Sequence, residues 1–345
     1  MKTVNNLWDV FISPENFNIA AKKAIKSKKS KKAVAKFLAN RDKLLDKLRH
    51  DIISGNFKTS AYVIKTIYEP KERNIYVLPL YPDHILHHAL VNVLGPIWLK
   101  TFVRDSFACI PGRGLHAASQ RAMDFVRRNK YVLQCDIRKF YPSIRHDVMK
   151  RVLRRKIADR RILRLLDNII DSCGGEKNVP IGNLTSQWFG NVFLNELDHF
   201  VKEKLCWRDY IRYCDDFCLF GNNKRDLWRV RKKILHFVQN ELMLDFSRSS
   251  VYPVSRGFDF IGYRHFNGFI LLRKSAAKRI KNSVLNIARY RDFSEKSVGQ
   301  LAAYHGWMKW ANCWRLKRKI QSTVGREFGG KASRFIKDKF WFDDS

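Results

Sequence analysis

From Tyr210 to Phe220 the chain reads Tyr-Ile-Arg-Tyr-Cys-Asp-Asp-Phe-Cys-Leu-Phe, with two adjacent carboxylates inside a run of aromatic and branched residues that favour a sheet. The local solution is two strands flanking an Asp215-Asp216 turn. Ionised carboxylates buried without partners cost several kcal/mol or take up protons, so a divalent cation at this turn is the economical explanation. An Asp-Asp pair in a hairpin turn is also common for backbone reasons alone. The pair gains meaning only with another lone acid at a strand end, and Tyr131-Val132-Leu133-Gln134-Cys135-Asp136 supplies one: a short strand delivering Asp136 to its carboxyl end. Pro142 fixes a turn just beyond it.

Around these acids the charge balance runs the other way. Lys and Arg number 67 against 32 Asp and Glu, a formal net charge of +35, and this excess indicates a polyanionic partner. No uninterrupted apolar run of about 18 residues appears and the amino terminus lacks a secretory pattern, so nucleic acid is favoured over a membrane. The seven cysteines lack the paired spacing of a zinc site and read as reduced, mostly buried small hydrophobes of a cytoplasmic protein.

Along the chain, a lysine-rich stretch (Lys22 to Lys32) precedes apolar positions from Val34 to Ile52 that fit one helix face, closed by Gly55. Ala61 to Leu80 reads as a hairpin around Glu69-Pro70-Lys71-Glu72-Arg73, presenting Lys71 and Arg73. A helix follows from His84 to Leu99, in which His87 and His88 are packing residues rather than metal ligands. Basic helices span His146 to Ile170, a Gly-containing loop Cys173 to Asn183, and a long amphipathic helix Thr185 to Leu205. Asp226 to Leu244 is a further helix, and Phe258 to Leu272 two strands joined at Asn267-Gly268. The tail from Ser275 is helical and basic, with Trp307, Trp310 and Trp314 at near-helical spacing, read as core.

Asp136 and Asp215-Asp216 converge if their strands lie side by side in an antiparallel sheet. Three carboxylates so placed bind two magnesium ions, which stabilise the attacking and leaving oxygens of an in-line phosphoryl displacement.

The ordered motifs, over most of the chain from about Lys65, resemble bacterial and phage reverse transcriptases with a group II intron-like palm. The resemblance implies an α+β right-hand polymerase: N-terminal extension and fingers over 1–130, palm with an antiparallel sheet over 131–274 (fingers-side helices at about 146–180), helical thumb over 275–345. It implies catalysis by Asp136, Asp215 and Asp216, two Mg2+ ions held by these and the Ile137 carbonyl, and dNTP contacts from Lys71 and Arg73, which a two-residue strand period puts on one face. Tyr141 matches the aromatic position that excludes ribonucleotides by clash. Phe260, Ile261, Gly262 and Tyr263 match the hairpin that grips the primer. The usual lysine after the helix following the Asp-Asp hairpin is replaced by no clear counterpart, Arg248 being the nearest cation.

Pro180-Ile181-Gly182-Asn183-Leu184-Thr185-Ser186-Gln187 is the most discriminating segment. Related enzymes carry Gln at the place of Ile181 and Pro at the place of Gln187; the form seen in this chain resembles that of diversity-generating retroelements, which copy a template RNA with errors at adenines. The expected partners are a structured template or noncoding RNA, the cDNA product and a small basic accessory protein. A defence-associated reverse transcriptase using a noncoding RNA is the near alternative, and an RNA-binding polymerase-fold protein without turnover the non-enzymatic one. The length leaves little room for a maturase's DNA-binding domain or for a ribonuclease H domain.

Overall fold

The computed structural model describes residues 3–68 and 72–340. Helices and small sheets make an α+β chain that divides into two compact units, each built from several chain segments. Met1–Arg113, Gln134–Cys218 and Trp228–Ser250 form the first, and Gly114–Leu133, Leu219–Leu227 and Val251–Ser345 the second.

In the first unit the helices Pro14–Ile25 and Ile85–Leu99 pack closely, burying Phe17, Ala20, Ala21 and Ala24 against Ile85, Ala89 and Leu90. Pro14 opens its helix at the position where a missing N–H costs nothing, and the Ser13 side chain accepts from Asn16 N. The apolar spacing from Val34 to Ile52 makes two helices, Lys32–Ala39 and Arg41–Ile53, because the chain breaks at Asn40. Strand β1 (Val63–Ile67) pairs antiparallel with β2 (Arg73–Val77), Ile67 opposite Arg73 and Lys65 opposite Ile75. Val63, Ile64 and Ile67 on β1 are exposed.

A four-stranded sheet follows the order β4 (Tyr210–Tyr213), β5 (Asp216–Gly221), β3 (Tyr131–Ile137), β6 (Phe246–Pro253). Cys214 and Asp215 alone link β4 to β5, so the expected hairpin forms. β6 runs against β3, since Cys135 meets Ser249, Asp136 meets Ser247, and Arg138 N reaches Asp245 O. The sequence gives no expectation of a strand here, where Ser247, Arg248, Ser249 and Ser250 are all polar. Buried Leu133, Cys135, Phe217 and Leu219 line the sheet with Phe246, whose ring centroid lies 5.8 Å from that of Phe217.

The helix Leu184–His199 carries the buried stripe Trp188, Phe189, Val192, Phe193 and Leu197 as its spacing predicts. The basic segment before it forms helices His146–Arg154 and Arg160–Asp171; Asp159 caps the second by accepting from Arg161 N and Ile162 N.

In the second unit β7 (Phe258–Phe260), β8 (Tyr263–Phe266) and β9 (Phe269–Leu272) form an antiparallel meander, with Asn267-Gly268 at its second turn. The helix Leu115–Arg128, absent from the sequence-based reading, packs here, and Ser119 Oγ meets His265 Nε2 at 2.8 Å. Helices Lys274–Arg289, Glu295–Lys309 and Trp314–Phe340 close on a core of Ile280, Val284, Leu301, Met308 and Ile320.

Two expectations are corrected. Trp307 packs on this core, but Trp310 and Trp314 are exposed, because one helix ends at Lys309 and the next begins at Trp314, so the three indoles share no helix face. The cysteines are free, yet only Cys135, Cys218 and Cys313 are buried, whereas Cys109 and Cys206 are exposed on loops. No helix among the described residues is long and apolar enough to cross a membrane.

Candidate active site

Strand period two puts Gln134 and Asp136 on one face of β3. Gln134 Nε2 donates to Asp216 Oδ1 at 3.3 Å, and Ser247 Oγ donates to Asp136 Oδ2. Asp215, in the β4–β5 turn, is half-buried. Burial raises its pKa, the charge of Asp136 raises it further, and Arg73 and Arg212 oppose the rise. Asp136 and Asp215 therefore share one electrostatic site, and Arg73 reaches it with its field from β2. Among the described residues no three acidic, His or Cys side chains already close into a metal cage. The donor set nevertheless fits a hard divalent cation: carboxylate oxygens held by neutral donors, with a mutual repulsion that such a cation relieves.

Behind the turn lies a network that sequence reasoning missed. Arg212 on β4 and Asp198 on the helix Leu184–His199 are both fully buried and form a two-pronged ion pair, Nε to Oδ1 at 2.7 Å and Nη2 to Oδ2 at 2.6 Å. Tyr210 donates to Asp198 Oδ1 at 2.5 Å, and Arg212 Nη1 donates to the Cys214 carbonyl at 3.0 Å and to Asn191 Oδ1 at 3.3 Å. Burial works against the guanidinium charge, but Asp198 more than offsets it and leaves the pKa of Arg212 raised. The signal was present: an Arg inside an apolar strand run requires a buried acid.

Tyr141 stands in the short turn Phe140–Ser143, and burial holds its phenol well above the usual pKa, so it remains a neutral O–H. It lies against Gly190, where a Cβ would come within 2.9 Å of its Oη and 3.1 Å of its ring. Gly190 thus leaves the room that the Tyr141 ring occupies, and nothing in the sequence singled it out.

The Ile181-Gly182 segment docks on β2. Tyr76 N donates to Ile181 O at 2.7 Å, and a Cβ on Gly182, at φ +120°, would meet Tyr76 O and Ile75 Cγ2, each at 2.9 Å. Ser186 Oγ donates to Pro180 O at 2.6 Å and ties the loop to the helix start. Gln187 is exposed and borders a cleft of about 580 Å³ with Lys23, Asn92, Arg113 and Trp188. Arg73 is exposed; Lys71 lies outside the described residues. Ile137 is buried at the end of β3.

The grip motif belongs to the second unit. Ile261 and Gly262 both have positive φ, as the two-residue turn between β7 and β8 requires, and are partly exposed. Phe260 and Tyr263 are fully buried, with Tyr263 donating to Trp307 O at 3.0 Å, so their side chains support the turn from beneath.

Residues 69–265, more than half of the chain, match the Reverse transcriptase (RNA-dependent DNA polymerase) family. The chain belongs to this family, and its fold is the α+β right-hand polymerase. Protein YkfC of Escherichia coli K12 is 23% identical over 267 residues, covering 63% of this chain and 70% of YkfC. A 91 kDa protein in the cob intron of Schizosaccharomyces pombe is 26% identical over 136 residues, covering 37% of this chain and 17% of that protein. Among solved structures, telomerase from Candida albicans in complex with a fragment of telomeric RNA superposes with a TM-score of 0.49 at 12% identity, over 84% of this chain and 62% of that one.

Proposed function

We propose that this chain is a cytoplasmic reverse transcriptase that copies a dedicated structured RNA into cDNA, error-prone in the manner of a diversity-generating retroelement. The observation that carries the catalytic part is the shared site of Asp136 and Asp215: two carboxylates that repel one another at the end of β3 and in the β4–β5 turn, with Asp216 beside them. In this reading Asp136, Asp215, Asp216 and the Ile137 carbonyl hold two Mg2+ ions, and the ions supply charge neutralisation for phosphoryl transfer from a dNTP to a primer 3′-hydroxyl. Lys71 and Arg73 hold the triphosphate. Tyr141 closes the floor of the sugar pocket, and its neutral phenol blocks a 2′-hydroxyl by contact rather than by charge. Ile181, Gly182 and Gln187 line the nascent base pair. Ile261 and Gly262 present the primer grip over a base formed by Phe260 and Tyr263.

Fingers, palm and thumb correspond in this reading to 1–130, 131–274 and 275–345. The excess of 35 positive charges supplies backbone affinity for the template RNA and the cDNA product. A small basic accessory protein is a further expected partner. Primer extension with Mg2+, comparing the natural sequence with Asp215→Ala, tests the catalytic part: synthesis by the first and none by the second is expected, equal synthesis by both would sink the catalytic assignment of Asp215, and synthesis by neither would favour an RNA-binding role without turnover. Gene neighbours test the biological part. A variable-protein gene with paired repeats supports diversification, and an operon with a noncoding RNA supports defence.

A further inference from the structure

Two thiols meet beside Asp215. Ser106 and Arg212 form a parallel bridge, with Arg212 N donating to Asp105 O at 2.9 Å and Phe107 N to Arg212 O at 3.1 Å. From that bridge the two backbones run on in the same direction, one to Cys109 and the other to Cys214. Asn191 Nδ2 pins the first path at Ala108 O, 2.8 Å away, and Arg212 Nη1 pins the second at Cys214 O. Both cysteines turn through the left-handed region, φ 53° and 54°, a conformation uncommon for a residue with a side chain. They line one small cavity with Tyr141, Gln187 and Gly190. Cys109 is exposed, so an oxidant reaches the pair from solvent, whereas Cys135 and Cys218 on the strands behind are buried.

From this juxtaposition we infer that Cys109 and Cys214 are a reversible oxidation site, closing to a disulfide that silences the Asp215 centre. The co-reactant is a low-molecular-weight disulfide. The Cys109 sulfur attacks one of its sulfur atoms, forming a mixed disulfide and releasing one thiol; Cys214 then attacks the Cys109 sulfur and releases the second. Two protein thiols are oxidised, one external disulfide is reduced to two thiols, and the two protons pass to them. The new bond holds the sulfur atoms at about 2 Å, drawing Cys214 toward the 105–111 segment. Asp215 is the next residue and is displaced with it, and the cavity shared with Tyr141 narrows.

The silencing half of this inference rests on the catalytic reading of Asp215, so the test separates bond from activity. The full chain is treated with glutathione disulfide, then with dithiothreitol, and followed by non-reducing peptide mapping, by primer extension and by the rise in melting temperature on adding MgCl2. A peptide joining Cys109 to Cys214 is expected, with synthesis lowered about a hundredfold, as a displacement near 1 Å at a reacting centre brings, and restored by dithiothreitol. The magnesium-dependent rise should vanish and return in step. Cys109→Ser should extend primers like the natural sequence and ignore the oxidant; Cys206→Ser should respond like the natural sequence. The inference is overturned by absence of the joined peptide, by a glutathione adduct in its place, by a joined protein that keeps its magnesium response, or by equal inactivation of Cys109→Ser. If the reduced protein extends no primer, the catalytic reading fails, while peptide mapping and melting still report on the bond and its effect.

Discussion

Arg212 and Asp198 meet through two hydrogen bonds with neither side chain exposed to solvent, joining the strand that leads into the Asp215 turn to the helix that carries Gln187 and Gly190. Removing one partner strands the other charge. Asp198→Ala or Arg212→Met is therefore expected to lower stability by about 3–5 kcal/mol in denaturant unfolding, whereas the double replacement Asp198→Leu with Arg212→Met should recover much of the loss. A double variant no more stable than the singles would show that the pair is not the main contribution at this place.

Gly190 and Tyr141 should behave as a coupled pair. Gly190→Ala puts a methyl group 2.9 Å from the phenol oxygen and displaces the ring that the proposed function sets against the sugar, so incorporation of every nucleotide should slow. Tyr141→Phe removes the nearest of the crowded atoms, so the double variant should incorporate faster than Gly190→Ala alone, with a coupling of about 0.5–3 kcal/mol across the cycle. Additive losses would place Tyr141 away from Gly190 in the working enzyme.

The carboxyl of Asp215 gives a pH prediction with a definite sign. Its folded pKa lies above the unfolded value, so the stabilising proton is fully present below the unfolded pKa and is lost as pH rises through the raised folded pKa. At neutral pH the metal-free protein thus holds a repelling charge, and Asp215→Asn should melt higher than the natural sequence. Adding MgCl2 should raise the melting temperature of the natural sequence and leave Asp215→Asn nearly unmoved. Magnesium affinity in the natural sequence should weaken as pH falls into the carboxylate range. A metal-free Asp215→Asn protein that melts lower contradicts the repulsion.

Gly182→Ala is incompatible with both the space over Tyr76 and a φ of +120°. Strain of this kind costs roughly 1–3 kcal/mol, and because the bond from Tyr76 N to Ile181 O is adjacent, the loss should appear as a raised KM for dNTPs as β2 and Arg73 shift. Unchanged KM would mean that the hairpin is positioned by other contacts.

Ile181→Gln should lower misincorporation opposite template adenine, by restoring a polar check beside the nascent pair. Sequencing of cDNA from one template measures this, and an unchanged error rate removes Ile181 from the account of fidelity.

The sequence was most legible where one local rule dominates. Alternation and turn chemistry located β3, β4 and β5 and the turn at Asn267-Gly268, and helical spacing found the buried stripe from Trp188 to Val201. It was silent where partners lie far apart in the chain. Polar Ser247 to Ser250 give no strand signal until Asp136 and Cys135 are placed opposite, and nothing local marks Asp198 as the partner that Arg212 needs. Gly190 carries no local signal, since its reason is a tyrosine 49 residues earlier. The tryptophans misled because a periodic spacing survives on paper across a break in the helix at Trp310 to Cys313.

The buried pair also has a mechanical meaning. A strand and a helix bolted together by two charge-assisted bonds tilt as one lever, with Gln187 near one end of the helix and the Cys214-Asp215 turn at the tip of the strand. In the proposed function Gln187 lies beside the template and Asp215 holds metal, so pressure on the first would be carried to the second through this ion pair. Accuracy of copying and speed of transfer would be tuned by the same rigid arm, so that a change improving one is felt by the other.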